Sequence, residues 1–301
     1  MLNKILIPLD GSPLSKRILV HVRRILVRQD AEVTLLRVIP PDVPGGLRVL
    51  EREELEEATA STQAAMAELE REGARSRCVI RRGDAAEEIL AYAREYQPAL
   101  VAMSTHGRSG FDRWIWGSVA ERVLRGSTHP LLLANPHALD DEKAQTDRKF
   151  ARVLVPLDGS EPSAAILPLV SEIAHLYESE VTLFYTEPIL IASIQYPAVP
   201  VIPAKEEGEK VLAPYRERLA GEGVRVKTWV AFEPPASGVL RAIELTKADL
   251  VAMTTHGRSG FSRWALGSVA EKVIRHSGIP VLVRRTSGFD EGISKDEEKE
   301  E

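Results

Sequence analysis

Short runs of consecutive apolar residues alternate along this chain with longer stretches whose apolar positions recur every three or four residues. An uninterrupted apolar run bounded by turn residues reads as a strand buried on both faces, and the wider spacing reads as a helix with one buried face. The first run, Lys4-Ile-Leu-Ile-Pro-Leu-Asp10-Gly-Ser12, returns 148 positions later as Arg152-Val-Leu-Val-Pro-Leu-Asp158-Gly-Ser160. Each predicts a strand closed by an Asp-Gly-Ser turn. Ser15 to Arg28 and Ser163 to Tyr177 carry helical spacing, with Ile18, Val22, Ile25 and Leu26 on one face of the first. Second strands are expected at Glu32 to Val38 and Glu180 to Thr186, both dense in β-formers.

The two copies then diverge. Pro40 to Gly46 leads into a long charged helix near Leu47 to Gly73, whereas the apolar stretch Pro188 to Pro203 precedes a helix near Lys205 to Gly221. They converge again in third strands at Ser76 to Ile80 and Arg225 to Val230, helices at Ala85 to Tyr96 and Ser237 to Thr246, and fourth strands at Leu100 to Met103 and Leu250 to Met253. Helices beginning at Gly117 and Gly267 lead to fifth strands at Pro130 to Ala134 and Pro280 to Arg284. Strict alternation of buried strands with helices implies right-handed βαβ units. The expected architecture is α/β: two repeated Rossmann-like domains, each an open five-stranded parallel sheet with helices on both faces. Ligands of such sheets bind outside the carboxyl ends of the strands, where strand order reverses.

The predicted layout is a first domain over 1–137, a polar linker over 138–150 that belongs to neither core, a second domain over 151–286 and an acidic tail over 287–301. The formal net charge of −5 resides in that tail, where Asp290, Glu291, Asp296, Glu297, Glu298, Glu300 and Glu301 outnumber Lys295 and Lys299. The folded body is therefore near neutral, which argues against nucleic acid as a partner. Pro188, Pro197, Pro200 and Pro203 break the uncharged stretch 188–204, so it reads as a loop and no membrane span is expected. The lone Cys78 excludes an internal disulfide framework and suits a reducing, cytoplasmic compartment. Its default reading is a buried thiol.

The strongest repeat joins Leu100 to Leu124, LVAMSTHGRSGFDRWIWGSVAERVL, with Leu250 to Ile274, LVAMTTHGRSGFSRWALGSVAEKVI. Each copy reads as strand end, glycine-rich loop and helix start. The loop lacks the lysine of a P-loop and the spacing of a dinucleotide fingerprint. Gly107, Gly110, Gly257 and Gly260 allow a tight turn or the close approach of a ligand to the backbone. Gly117-Ser118 and Gly267-Ser268 open helices whose free amides and dipole favour an anion. Ser118 with Glu121, and Ser268 with Glu271, also have the spacing of capping boxes, which would account for both serines without a ligand. His106 and His256, with Arg108, Arg113, Arg258 and Arg263, either cap their own loop or position a polyphosphate. Trp114, Trp116 and Trp264 pack or stack. Asp10 and Asp158 either form Asx turns or accept hydrogen bonds from a ligand.

On these residues both halves resemble the universal stress protein family, whose nucleotide-binding members carry glycine, two residues, glycine, nine residues, glycine, then Ser or Thr. Gly107 with Gly117-Ser118, and Gly257 with Gly267-Ser268, match the second and third glycines. Ser104 and Thr254 stand where the motif has its first glycine, each expected to end its strand in extended backbone with a hydroxyl able to donate to a phosphate. The resemblance implies ATP or another adenine nucleotide as ligand, with Mg2+ as a candidate companion. It places Asp10 and Asp158 near the nucleotide, and Val38 and Thr186 against adenine through their backbone. It also implies pairing of two domains across their final strands, which would make this chain its own pseudo-dimer, with a further homodimer open. The expected role is a nucleotide-binding sensor or interaction module in stress response, with slow hydrolysis at most. The alternatives are a ligand-free interaction protein and, more remotely, an ATP-consuming enzyme of related fold.

Overall fold

The computed structural model describes residues 2–26, 31–41, 48–71, 73–105, 117–136, 149–187, 205–257 and 266–286. Its first repeat runs β1 (Lys4–Leu9), α1 (Pro13–Lys16), α2 (Ile18–Leu26), β2 (Glu32–Ile39), α3 (Arg48–Arg71), β3 (Arg75–Arg82), α4 (Ala85–Tyr96), β4 (Leu100–Ser104), α5 (Ser118–Gly126) and β5 (Leu131–Ala134). The second runs β6 (Arg152–Pro156), α6 (Glu161–Ala164), α7 (Leu167–Tyr177), β7 (Glu180–Thr186), α8 (Lys205–Gly221), β8 (Arg225–Ala231), α9 (Pro235–Thr246), β9 (Leu250–Thr254), α10 (Ser268–His276) and β10 (Val281–Arg284). The α/β alternation expected from the apolar pattern is thus present in both copies. No described helix is long and apolar enough to cross a membrane.

The described strands form one ten-stranded sheet in the order β3-β2-β1-β4-β5-β10-β9-β6-β7-β8. Pairing within each repeat is parallel, while β5 and β10 meet antiparallel, with Leu132 opposite Leu282. Strand order reverses at β1 and β4, and again at β6 and β9, so each repeat has its own switch point. Because the two sets of strands run in opposite directions, their carboxyl ends lie on opposite edges of the sheet.

Ile5, Leu6 and Ile7 of β1 are all fully buried, as a strand covered on both faces requires. Each face carries one apolar core that continues across both repeats. The first includes Ile5, Ile7, Val153 and Val155, and the second includes Leu6, Val101, Leu154 and Val251. At the junction a small apolar void of about 10 Å³ is lined by repeat-related pairs, among them Leu2 with Phe150 and Ile25 with Ile173.

Two expectations are corrected here. The stretches read as single helices from Ser15 and Ser163 start earlier and are each broken. Ser12 and Ser160 cap short helices by accepting from the Ser15 and Ser163 amides at 3.1 and 3.2 Å. The ladder then tightens, with Arg17 N donating to Leu14 O and Ala165 N to Pro162 O, three residues back instead of four. Phe150, assigned to a linker outside both cores, is buried edge-to-face against Tyr177 with ring centroids 5.5 Å apart. Cys78 on edge strand β3 is half-buried, and burial pushes its thiol up, away from the reactive thiolate.

His21, on the buried face of α2, has neither ring nitrogen hydrogen-bonded, and burial together with nearby Arg24 pushes its pKa down to about 3. The unfolded chain takes up this proton near pH 6.5 and the fold does not until about pH 3. The unfolded state therefore binds more protons between those values, and stability falls as pH falls through that window. Leu169 holds the equivalent place in the second repeat. His21→Leu should raise the melting temperature at pH 5 more than at pH 7; an equal effect at both, followed by circular dichroism, would remove His21 as a source of acid sensitivity.

Candidate functional site

Each Asp-Gly-Ser turn uses its three residues differently. Asp10 Oδ1 accepts the Ser12 amide at 2.8 Å, and Asp158 Oδ1 accepts the Ser160 amide at 2.9 Å and the Ser160 hydroxyl at 2.6 Å. Gly11 and Gly159 have φ of 81° and 84°, a conformation that strongly favours glycine. The Asx-turn reading is therefore realised. The same turns hold both carboxylates at strand carboxyl ends, in the walls of two cavities.

The first cavity, about 260 Å³, lies at the β1/β4 switch point. Its walls include Asp10 after β1, Val38 near the end of β2, Ile89 on α4, Met103 and Ser104 on β4, and Gly117-Ser118 at the start of α5. The second, about 250 Å³, has the corresponding walls in Asp158, Thr186, Val239, Met253, Thr254 and Gly267-Ser268, with His256 and Gly257 added. The predicted residues Asp10, Val38, Ser104, Gly117, Ser118, Asp158, Thr186, Thr254, Gly257, Gly267 and Ser268 are thus brought together, one set per repeat. Gly107, Arg108, Gly110, Arg258 and Gly260 lie outside the described residues, as do His106, Arg113, Arg263 and the three loop tryptophans.

The capping-box reading is overturned. Gly117 and Gly267 occupy the N-cap positions of α5 and α10, with no side-chain cap hydrogen bond in either helix. The serines are shifted one place into the helix. Glu121 and Glu271 are shifted with them and pair with Arg125 and Arg275, each at 2.7 Å. Among the described residues, neither of these two nine-residue helices has the N-cap side-chain acceptor that usually meets first-turn amides, and both beginnings open on a cavity. Backbone donors and a positive dipole end so placed can hold an anion.

Strand lengths shape the other wall. Pairing of β1 with β2 ends at Leu9 opposite Arg37, while β2 continues to Ile39. Pairing of β6 with β7 ends at Pro156 opposite Phe184, while β7 continues to Thr186. Val38 and Thr186 therefore overhang their cavities on the side the neighbouring strand has left, with backbone polar groups at the wall. Leu36, Ala85 and Ile89 add an apolar lining in the first cavity, and Phe184, Pro235 and Val239 do so in the second. The sequence reading missed these residues, because apolar positions near strand ends and helix starts are patterned like any core residue.

Ser104 and Thr254 end their strands without positive φ, as expected. Their hydroxyls are directed to the protein instead of outward. Ser104 Oγ donates toward the Leu14 and Ser15 carbonyls at 2.9 and 3.3 Å, and Thr254 Oγ1 donates to His256 O at 2.8 Å. This arrangement replaces the expected hydroxyl donor to a phosphate. His256 Nδ1 lies 3.0 Å from Thr255 Oγ1, a contact within its own loop.

Gly267 is required by backbone space, and Gly257 stands against the Asp158 carboxylate. A Cβ on Gly267 would stand 2.5 Å from the Thr255 carbonyl oxygen, which accepts the Gly267 amide at 3.0 Å. A Cβ on Gly257 would stand 1.9 Å from Asp158 Oδ2. Any side chain at 267 must therefore displace backbone at the helix start, so a fold-neutral substitution there is excluded. Gly267→Ala should destabilise the protein by about 1–3 kcal/mol, whereas Gly221→Ala, with nothing within 4 Å of the added carbon, should be neutral or slightly stabilising. Chemical denaturation distinguishes them, and equal stability of the two variants would refute the steric account.

Comparison with known proteins agrees with this architecture. A family model described as the universal stress protein family matches residues 1–135 and again 149–285. A universal stress protein of Methanocaldococcus jannaschii is 32% identical over 139 residues, covering 44% of this chain and 81% of its own length. One of Mycolicibacterium smegmatis is 29% identical over 298 residues, 93% of this chain and 96% of its own. Among solved structures, a universal stress protein from Archaeoglobus fulgidus has a TM-score of 0.75 at 22% identity, covering 95% of this chain and 99% of that one, a likeness of fold. With the family matched once in each repeat, this chain belongs to the universal stress protein family as a tandem, two-domain member.

Proposed function

We propose that this protein binds ATP or another adenine nucleotide in one or both cavities, and that occupancy alters its stability or partner contacts in a cytoplasmic stress response. The observation that carries this reading is a helix start with glycine at the cap position, and so no cap side chain of its own, that opens into a cavity at a topological switch point in each repeat. The phosphates belong at the amides of Gly117-Ser118 and Gly267-Ser268. The base fits the apolar slot between the overhanging strand end and α4 or α9, where backbone groups of Val38 and Thr186 can recognise it. Asp10 and Asp158, at the β1 and β6 turns, are proposed to accept hydrogen bonds from ribose hydroxyls. Arg108 and Arg258, with Gly107, Gly110, Gly257 and Gly260, are proposed as further phosphate contacts, and Mg2+ would accompany a di- or triphosphate.

The competing reading is a ligand-free interaction protein. It draws on Ser104, Thr254 and Asp158, whose polar atoms already serve the local fold. Isothermal titration of nucleotide-stripped protein separates the two. ATP, ADP or AMP should bind with a dissociation constant of millimolar or tighter, with and without Mg2+ measured in parallel. Absence of heat for all three at that concentration would leave the ligand-free reading standing.

A further inference from the structure

The apolar contact between the repeats is largely symmetric: Ile25 matches Ile173, Leu100 matches Leu250 and Leu132 matches Leu282, while Phe150 stands opposite the smaller Leu2 and Tyr177 is contributed by the second repeat alone. One buried polar contact between them is one-sided. Arg24 on α2 is buried, with its guanidinium 4.2 Å from the centre of the Phe150 ring, donating to the Lys149 carbonyl and standing 4.0 Å from Asp249 Oδ1. Asp249 is held in turn by the amides of Ala151 and Arg152, at 3.0 and 3.2 Å. Arg24 belongs to the first repeat and every one of these partners to the second.

The repeat provides an internal comparison. The position matching Arg24 is Glu172 on α7, the one matching Asp249 is Ala99, and the one matching Phe150 is Leu2. The match is structural as well as sequential. Ala99 N donates to Lys4 O at 2.9 Å and Asp249 N to Arg152 O at 3.0 Å, the same bond in each copy.

Three pairings across the final strands can therefore be compared. A first domain on a second gives the observed contact. Two first domains would set the buried Arg24 against Leu2 and Ala99, without the Asp249 carboxylate. Two second domains would bring Glu172 toward Asp249 and the electron-rich face of Phe150, placing like charges together in a low-dielectric contact. A buried ion pair contributes little net stability against an apolar replacement, but removing or reversing one partner is strongly unfavourable. Discrimination between partners is a role that such one-sided pairs can fill.

We infer that Arg24, Asp249 and Phe150 act as a selectivity lock on the interdomain face. That face accepts a first domain only on a second domain, and its occupant is the complementary domain of the same chain. Pairing of like domains between chains is rejected by charge.

The test uses the full chain in sedimentation velocity and thermal denaturation. Arg24→Glu gives the first domain the charge of Glu172. It should shift the sedimentation coefficient, by opening the pair or by joining chains through first domains, and should lower the melting temperature. Adding Asp249→Ala removes the opposing carboxylate and should return both readouts toward wild type, although a second native contact has been deleted. A merely structural contact would make the double variant worse. The proposal is overturned if Arg24→Glu behaves as wild type, or if the double variant lies further from wild type than the single one. Should Arg24→Glu yield no folded protein, a double-mutant cycle of Arg24→Met with Asp249→Ala decides instead. Coupling of about threefold or more in the unfolding equilibrium constant supports the lock, and smaller coupling overturns it.

Discussion

An open parallel sheet ends in a strand whose outer edge has unpaired amides and carbonyls, and this chain satisfies that edge by pairing β5 with β10. Much else follows from the pairing. It fuses two five-stranded units into one sheet, makes each apolar core continuous across the repeats, and brings α2 and α7 together above the junction. Its antiparallel sense turns the two sets of strand ends away from each other. The cavities therefore open on opposite edges of the sheet, and a ligand in one does not touch the other.

Within each cavity the same residues meet local and functional demands. Asp158 closes its Asx turn and also fills the space that a side chain at Gly257 would need. Gly267 lets the helix start approach the Thr255 carbonyl and leaves the cap position without a hydroxyl of its own. A serine in that position would satisfy its own first-turn amides. A glycine there leaves them to a ligand or to water. This one-residue displacement separates a helix stop-and-start signal from an anion site, and it is a matter of where the helix begins.

The two repeats have kept their sheet geometry while diverging at the contact between them. Arg24 and Glu172, or Asp249 and Ala99, are equivalent in backbone position and opposite or absent in charge. Sheet pairing alone does not distinguish one order of domains from another. The charged residues distinguish them, and His21, buried one turn before Ile25 without a hydrogen-bond partner, shows that the same helix carries further polar groups at odds with simple core packing.

Val38 was reached only through the family resemblance; the sequence by itself determined the strand-helix alternation, the duplication and the position of Asp10 and Asp158 at strand carboxyl ends. These depend on short-range regularities, namely apolar periodicity, Asp-Gly-Ser turn chemistry and the constant spacing of the copies, all of which are written in neighbouring residues. Only the tertiary structure decided that Ser118 and Ser268 do not cap, that Ser104 Oγ turns toward the Leu14 carbonyl, that Phe150 is core, and that Arg24 meets Asp249. Each of these depends on atoms brought together from distant positions or on a shift of one residue at a helix start. Linear spacing does not encode such distances, because residues far apart in the chain acquire them only when the sheet has formed.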